Sequence, residues 1–332
     1  MGKVSSHALP SFDSKDRKIL YELERDSRRS LGEIAKRAGL SKQTLHYRIQ
    51  RLVGEGVITG FITAIDAAKL GYVNHEVWMQ LGELDEAKKK EFLDFLAAHE
   101  NVRWVSSCGG KFDVAIAILA ENLVRFDSIL RGILGRFPGY VKNHYVSISY
   151  EFYGYPRSHL VKEEKRGKGA FLGGQPERIA MDEADFRIIS ELAENSRIPT
   201  LELAQKAGIA PNTVRARMRR LEKEGVIRSY TILIQPSRLG IQNYELLVNL
   251  QNLTEVREKQ IEAYCLQNPN VNFLLKVVGK WDLDINFDCQ GSEQLQAFIT
   301  EFRSRFGDVI KDFEFVQILY MHKFGYVPMK SI

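Results

Sequence analysis

The sequence predicts an α+β chain in which one folding unit, three helices followed by a βαββαβ sheet, is written twice. Two observations carry that expectation. The first is internal repetition. Asp13-Ser-Lys-Asp-Arg-Lys-Ile-Leu20 returns as Asp182-Glu-Ala-Asp-Phe-Arg-Ile-Ile189, and Glu55-Gly-Val-Ile58 as Glu224-Gly-Val-Ile227, at one unbroken offset of 169 residues. Asn101-Val102 with Asn270-Val271, and Gly110-Lys-Phe-Asp113 with Gly279-Lys-Trp-Asp282, keep the same register. A repeat of this length means two copies of a domain-sized unit, not a solenoid. The second observation is a change of hydrophobic period inside each copy, from helical spacing to short apolar runs.

Ile19, Leu20 and Leu23 recur at helix spacing after Asp13, which is placed to cap the first turn. Leu31, Ile34 and Ala35 mark a short second helix that Gly39 ends. Ser41 caps a third, whose apolar stripe is Leu45, Ile49 and Leu52. Copy two repeats this with Ile188, Ile189 and Leu192; then Leu201, Leu203 and Ala204; Gly208; then Val214, Met218 and Leu221. Pro211 falls in the first turn of its helix, where the missing amide would have no partner anyway. After each Gly-Val-Ile exit, residues 61–65 and 230–234 read as short strands. In copy one a strand at 76–81, a helix at 86–98, strands at 102–107 and 114–119, a helix at 123–137 and a strand at 141–150 follow. That order is ferredoxin-like: an antiparallel sheet with both helices on one face. The other face needs a cover, and the second sheet is the simplest one available.

The expected domains are therefore a helical head at 10–59, a sheet domain at 60–156, a linker at 157–179, a second head at 180–228 and a second sheet domain at 229–328. The linker contains Lys162-Glu-Glu-Lys-Arg-Gly-Lys168 and Gly173-Gly-Gln-Pro176. Polar and without periodicity, it is expected to be mobile, and long enough to let the copies pack together.

Hydrophobic content of 44% and charged content of 27% are those of an ordinary soluble protein. A net charge of +5 mildly favours a polyanionic partner. No run is long and apolar enough to span a bilayer, and the N-terminus lacks the pattern of a secretory signal. Cys108, Cys265 and Cys289 are too scattered for a disulfide framework, which points to the cytoplasm. His7, His75, His99, His144, His159 and His322 show no ligand spacing, so neither a metal nor a cofactor is expected. Phosphate-binding glycine loops and nucleophile elbows are absent, which argues against an enzyme.

A short helix, a glycine turn and a third helix make a helix-turn-helix, whose last helix enters the major groove of double-stranded DNA. With Leu45, Ile49 and Leu52 in the core, Gln43, Tyr47 and Gln50 face outward, flanked by Thr44, His46 and Arg51. In copy two the outward set is Asn212, Ala216 and Arg219, flanked by Thr213, Arg215 and Arg220. Arginine and amide side chains pair with guanine and adenine edges, whereas Ser41, Lys42, Thr44 and Thr213 suit phosphates. A solvated basic helix face is the alternative for one helix alone; two aligned copies outweigh it.

Ala35-x-x-Ala-Gly39-Leu-Ser-x-x-Thr44, followed by Arg48-x-x-Arg51-Leu-x-x-Glu-Gly-Val-Ile58, resembles the Lrp/AsnC (feast/famine) transcription regulators. The resemblance implies two winged-type helix-turn-helix domains and two ferredoxin-like RAM domains in tandem. It also implies an amino-acid effector near the Gly-x-x-Asp hairpins: Gly109, Gly110 and Asp113 in copy one, Gly279 and Asp282 in copy two. Glycine amides would approach a carboxylate there and the aspartate an amino group, unless these residues simply build tight turns. Members of the family carry one unit and pair through their RAM sheets, so this chain is expected to self-associate through those sheets, within itself or between chains. Heads as different as these suit an imperfect palindrome, G-richer under copy two. Two rival expectations stand beside this one: an enzyme similar to the sirohaem decarboxylases, and an amino-acid sensor with degenerate DNA heads.

Overall fold

The computed structural model describes residues 12–161 and 169–327. The ends of the 10–59 head and of the 229–328 domain, His7, and the lysine-rich stretch of the linker lie outside the described residues.

Copy one begins with α1 (Ser14–Arg25), capped by Asp13 in a reciprocal box with Asp16. Ser30 caps α2 (Leu31–Ala38), which Gly39 ends at φ 65°, and Ser41 caps α3 (Lys42–Gly54). There follow β1 (Ile58–Ile65), β2 (Val73–Leu81), α4 (Glu86–Ala98), β3 (Val102–Gly110), β4 (Val114–Ala120), α5 (Leu123–Arg136) and β5 (Val141–Gly154). A short β6 (Ala170–Gly173) precedes copy two: α6 (Glu183–Glu194), α7 (Thr200–Ala207), α8 (Pro211–Lys223), β7 (Ile227–Ile234) and β8 (Gln242–Leu250). α9 (Glu255–Gln267), β9 (Val271–Gly279), β10 (Leu283–Cys289), α10 (Ser292–Phe306) and β11 (Ile310–Phe324) complete it. Pro211 stands in the first turn of α8, as its fixed φ allows. The α+β class and the ferredoxin-like order hold in both copies, with β5 running on to Gly154, past the end at residue 150 that the apolar pattern indicated.

The two sheets do not merely lie face to face. Within copy one the order is β5-β2-β4-β3, and within copy two β11-β8-β10-β9. β3 pairs with β11 and β5 with β9, both antiparallel, so the eight strands close into a barrel inside one chain. Edge strands carry a row of unpaired amides and carbonyls, and closure satisfies both edges of both sheets at once. α4 and α5 cover the outside of one half, burying Val114, Ile116 and Ile118, while Ala115 on the same strand points inward. Trp78 and Trp281 meet edge to face inside the barrel, their rings 6.2 Å apart, beside Phe112, Leu247 and Val316.

The heads are exchanged through their exit strands. β1 pairs antiparallel with β7, so Ile232 and Ile234 complete the core of head one and Ile65 that of head two. Leu160 also joins the first core. The described flanks of the 157–179 linker are accordingly ordered, contrary to the mobility expected of them. Arg157 is tied to Glu24 at 2.5 Å and to the buried Asp288 at 2.9 Å, and β6 adds to the edge of β5. Buried Leu160 and Leu172 and one satisfied guanidinium fix a segment whose composition reads as loose. No helix among the described residues is long and apolar enough to cross a membrane.

Candidate functional site

α3 and α8 present the outward side chains that the helical wheel assigned to them. Lys42, Gln43, Thr44, His46, Tyr47 and Gln50 are exposed on α3, Tyr47 at 69%. Asn212, Thr213, Arg215, Ala216, Arg219 and Arg220 are exposed on α8. Ser41 spends its hydroxyl on the cap, accepting from the Thr44 amide at 3.1 Å and bonding the Thr44 hydroxyl at 2.8 Å. Arg215 donates to Asn212 Oδ1 at 2.8 Å, which orders that pair on the surface. Gln50 and Arg219 make no side-chain hydrogen bond among the described residues.

Arg51 and Arg220 do something the helical wheel did not reveal. Arg51 Nη2 lies 2.6 Å from Asp16 Oδ2, and Arg48 bonds both Asp13 and Asp16 at 2.9 Å. In head two Arg220 bonds Asp185, and Arg217 bonds Asp182 at 2.6 Å and Asp185 at 2.9 Å. Asp16 and Asp185 are each 1% exposed, so these pairs lock the third helix of each head to its first. Hydrogen bonds hold two of the capping carboxyls below the usual range, Asp13 chiefly through the Asp16 amide and Asp182 chiefly through Arg217. A signal was present in the sequence: Asp-x-x-Asp and Arg-x-x-Arg recur together in both copies. Charge leaves the two faces unequal, because α8 carries Arg215 and Arg219 where α3 carries His46 and Gln50.

The Gly-x-x-Asp hairpins lie at the barrel end away from the heads. Gly110 and Gly279 adopt φ of 106° and 141°, and a Cβ on Gly279 would stand 2.5 Å from the Val146 carbonyl oxygen. Gly109 lies against the side chain of Leu319. Asp113 accepts the Leu81 amide at 2.8 Å and Asp282 the Leu250 amide at 2.7 Å. One oxygen of each carboxylate therefore fastens its hairpin to a neighbouring strand.

At the barrel end facing the heads is a feature absent from the sequence expectations: a cavity of about 460 Å³ roofed by α1, β1 and β7. Glu76 and Glu245, the same position of the two copies, form its floor with Asp284, each 2% exposed. Burial pushes both glutamates up to about 8 and raises Asp284 well above the ordinary carboxyl range. Copy one has Ala115 and Ala117 where copy two has Asp284 and Asn286. Polar residues at period two in an otherwise apolar strand were the available signal. Among the described residues no cluster of histidine, cysteine or carboxylate is arranged to hold a metal ion.

The winged helix-turn-helix DNA-binding family model matches residues 12–59 and 181–228. The proline dehydrogenase transcriptional activator of Rhizobium radiobacter is 31% identical over 138 residues, 41% of this chain and 87% of that protein. The leucine-responsive regulatory protein of Rhizobium meliloti is 31% identical over 128 residues, 37% of this chain and 80% of that one. In fold, the siroheme decarboxylase NirDL covers 96% of this chain, and 94% of its own, with a TM-score of 0.59 at 15% identity. Each regulator thus corresponds to one copy, whereas the decarboxylase shares the doubled architecture.

Proposed function

The chain belongs to the Lrp/AsnC family of transcription regulators, and from that premise we propose that a single chain acts as an internal dimer reading DNA with two unlike heads. The observation that carries this reading is the exchanged pairing of β1 with β7. It joins two helix-turn-helix units within one chain while leaving the outer faces of α3 and α8 exposed. Gln43, Tyr47 and Gln50 would read one half-site; Asn212, Arg215 and Arg219 would read the other, with arginine favouring guanine. The preferred operator is an imperfect palindrome, G-richer under head two. Selection from random duplexes at stated salt tests this. An asymmetric motif supports it; recovery of perfect palindromes only, or of no motif, overturns it. An amino-acid effector at the hairpins is part of the same reading, using the glycine amides and the second carboxylate oxygen of Asp113 or Asp282.

The doubled fold shared with NirDL favours a second reading as an enzyme. A complex of that decarboxylase holds an iron-uroporphyrin III analogue, and uroporphyrins are polycarboxylates. The floor of the cavity here supplies carboxyls in place of the cations that such a substrate would pair with, which opposes it. Uptake of a porphyrin with a Soret band would favour the enzyme; its absence leaves the regulator.

A further inference from the structure

We propose that the cavity between the heads and the barrel binds an organic cation, a primary ammonium or amidinium group on a compact apolar body. Glu76 Oε2 and Asn272 Oδ1 are buried there without a hydrogen-bond partner, and Glu245 and Asp284 have one another only through a shared proton. Once the carboxyls ionise, all of these oxygens are acceptors. Buried acceptors left unmatched are costly, and what would satisfy them is a donor-rich ligand, not an anion. A volume of about 460 Å³ suits a small molecule. Trp104, Phe152, Phe273 and Phe324 supply apolar and aromatic wall, which a cation with a hydrocarbon body exploits in both its parts.

The charges facing the floor favour the same sign. Arg103 on β3 is the cation nearest Glu76, and it donates to Asn74 Oδ1 at 2.5 Å. On the roof side Arg157 is bound to Glu24 and Asp288, Arg228 to Asp66, and Arg29 to Glu22, while Arg25 lies over the Tyr21 ring. The Cys108 thiol on β3 faces Glu245 and is held protonated by burial. Three carboxyls thus meet one nearby guanidinium. Without a ligand the carboxyls keep their protons, and Glu245 and Asp284 lie within hydrogen-bonding reach of each other. An entering ammonium replaces those protons and releases them to solvent. Affinity should then rise as pH climbs towards about 8, by up to about tenfold per unit for each proton released.

The test is calorimetric titration of the full chain with phenethylamine, agmatine and spermidine, at about pH 7 and about pH 9, in buffers of different ionisation enthalpy. Saturable binding of at least one amine, with proton release at the lower pH and tighter binding at the higher, supports the proposal. A loss of about tenfold or more in Glu245→Gln or Asp284→Asn, with circular dichroism unchanged, supports it further. Should those variants fail to fold, proton release by the natural chain decides the matter. Binding of 2-phenylethanol or phenylpropionate equal to that of phenethylamine overturns the proposal. So does the absence of binding by all three amines at millimolar concentration, or undiminished affinity in both folded variants. DNA is absent from the experiment, so its outcome is independent of the regulatory reading.

Discussion

The hydroxyl of Ser27 lies 2.6 Å from that of Ser196, both residues fully buried, and the two serines occupy the same position of the two copies. Their neighbours repeat the relationship in both directions. Arg28 donates to the Ser196 and Ile198 carbonyls and Arg197 to the Ser27 carbonyl. Arg28 also lies over the Tyr230 ring at 5.4 Å, and Arg197 over Phe61 at 5.6 Å. A pseudo-twofold axis therefore passes between the serines, and the duplicated chain joins its heads as a symmetric dimer would.

Replacing one serine should cost more than replacing both in proportion. Ser27→Ala or Ser196→Ala alone leaves a buried hydroxyl without its partner, a loss of about 1–3 kcal/mol. The double variant removes both groups and should fall short of the summed losses by on the order of 1 kcal/mol. Urea unfolding of the four chains measures the coupling; strictly additive losses would refute the contact.

Arginines one helical position apart should separate stability from DNA affinity. Arg51→Ala and Arg220→Ala each remove one of two arginines from a buried aspartate, Arg48 and Arg217 remaining, and should destabilise their heads by about 1.5 kcal/mol. Gln50→Ala and Arg219→Ala should leave thermal stability within about 0.5 kcal/mol. On the recovered operator, Arg219→Ala should cost about 1–3 kcal/mol of binding and relax discrimination in one half-site. Melting curves and duplex titrations read the two effects; the reverse assignment would mean that Arg51 and Arg220 face the DNA.

The contrast shows what was legible beforehand. Leu45, Ile49 and Leu52 declare themselves by spacing, so the buried face of α3 and its exposed complement follow from sequence. Which exposed cation is already bound does not follow, because Asp16 belongs to another helix and periodicity reports burial, never partner. The same limit hid the β1–β7 exchange: Ile65 and Ile234 read as the ends of short strands, with nothing to place each in the core of the other copy's head. Glu76 and Glu245 read as the polar ends of apolar strands. Only barrel closure places them together.

Head two lacks a cap that head one has, and restoring it should stabilise the protein. Ala210 begins α8 at φ −66° and ψ 147°, close to the −72° and 155° of Ser41 before α3. Ser41 accepts the Thr44 amide, and Thr213 stands at the matching position with no side-chain acceptor before it. Ala210→Ser therefore fits the backbone as it stands and should add about 1 kcal/mol. A melting temperature raised by a few degrees is the expected result; an unchanged or lowered one would mean that the helix starts elsewhere.

The floor of the cavity should make stability fall as pH rises. An unfolded glutamate titrates near 4.5, whereas Glu76 and Glu245 titrate at about 8 in the fold, chiefly because burial disfavours their charged forms. Between those values the native state holds protons that the unfolded chain has released. Their stabilising contribution is complete below about 4.5 and is lost progressively as pH climbs through about 8. Each carboxyl adds a downward slope of at most about 1.4 kcal/mol per pH unit. Glu76→Gln and Glu245→Gln remove the titrating proton while keeping shape, so each variant should lose less stability than the natural chain from about pH 5 to about pH 8. Urea midpoints measured across that range decide it. Curves that stay parallel for both variants would mean that the two glutamates ionise without penalty and that the floor is wetter than its burial indicates; convergence at low pH and divergence at high pH would identify them as the groups that set the alkaline limit of the fold.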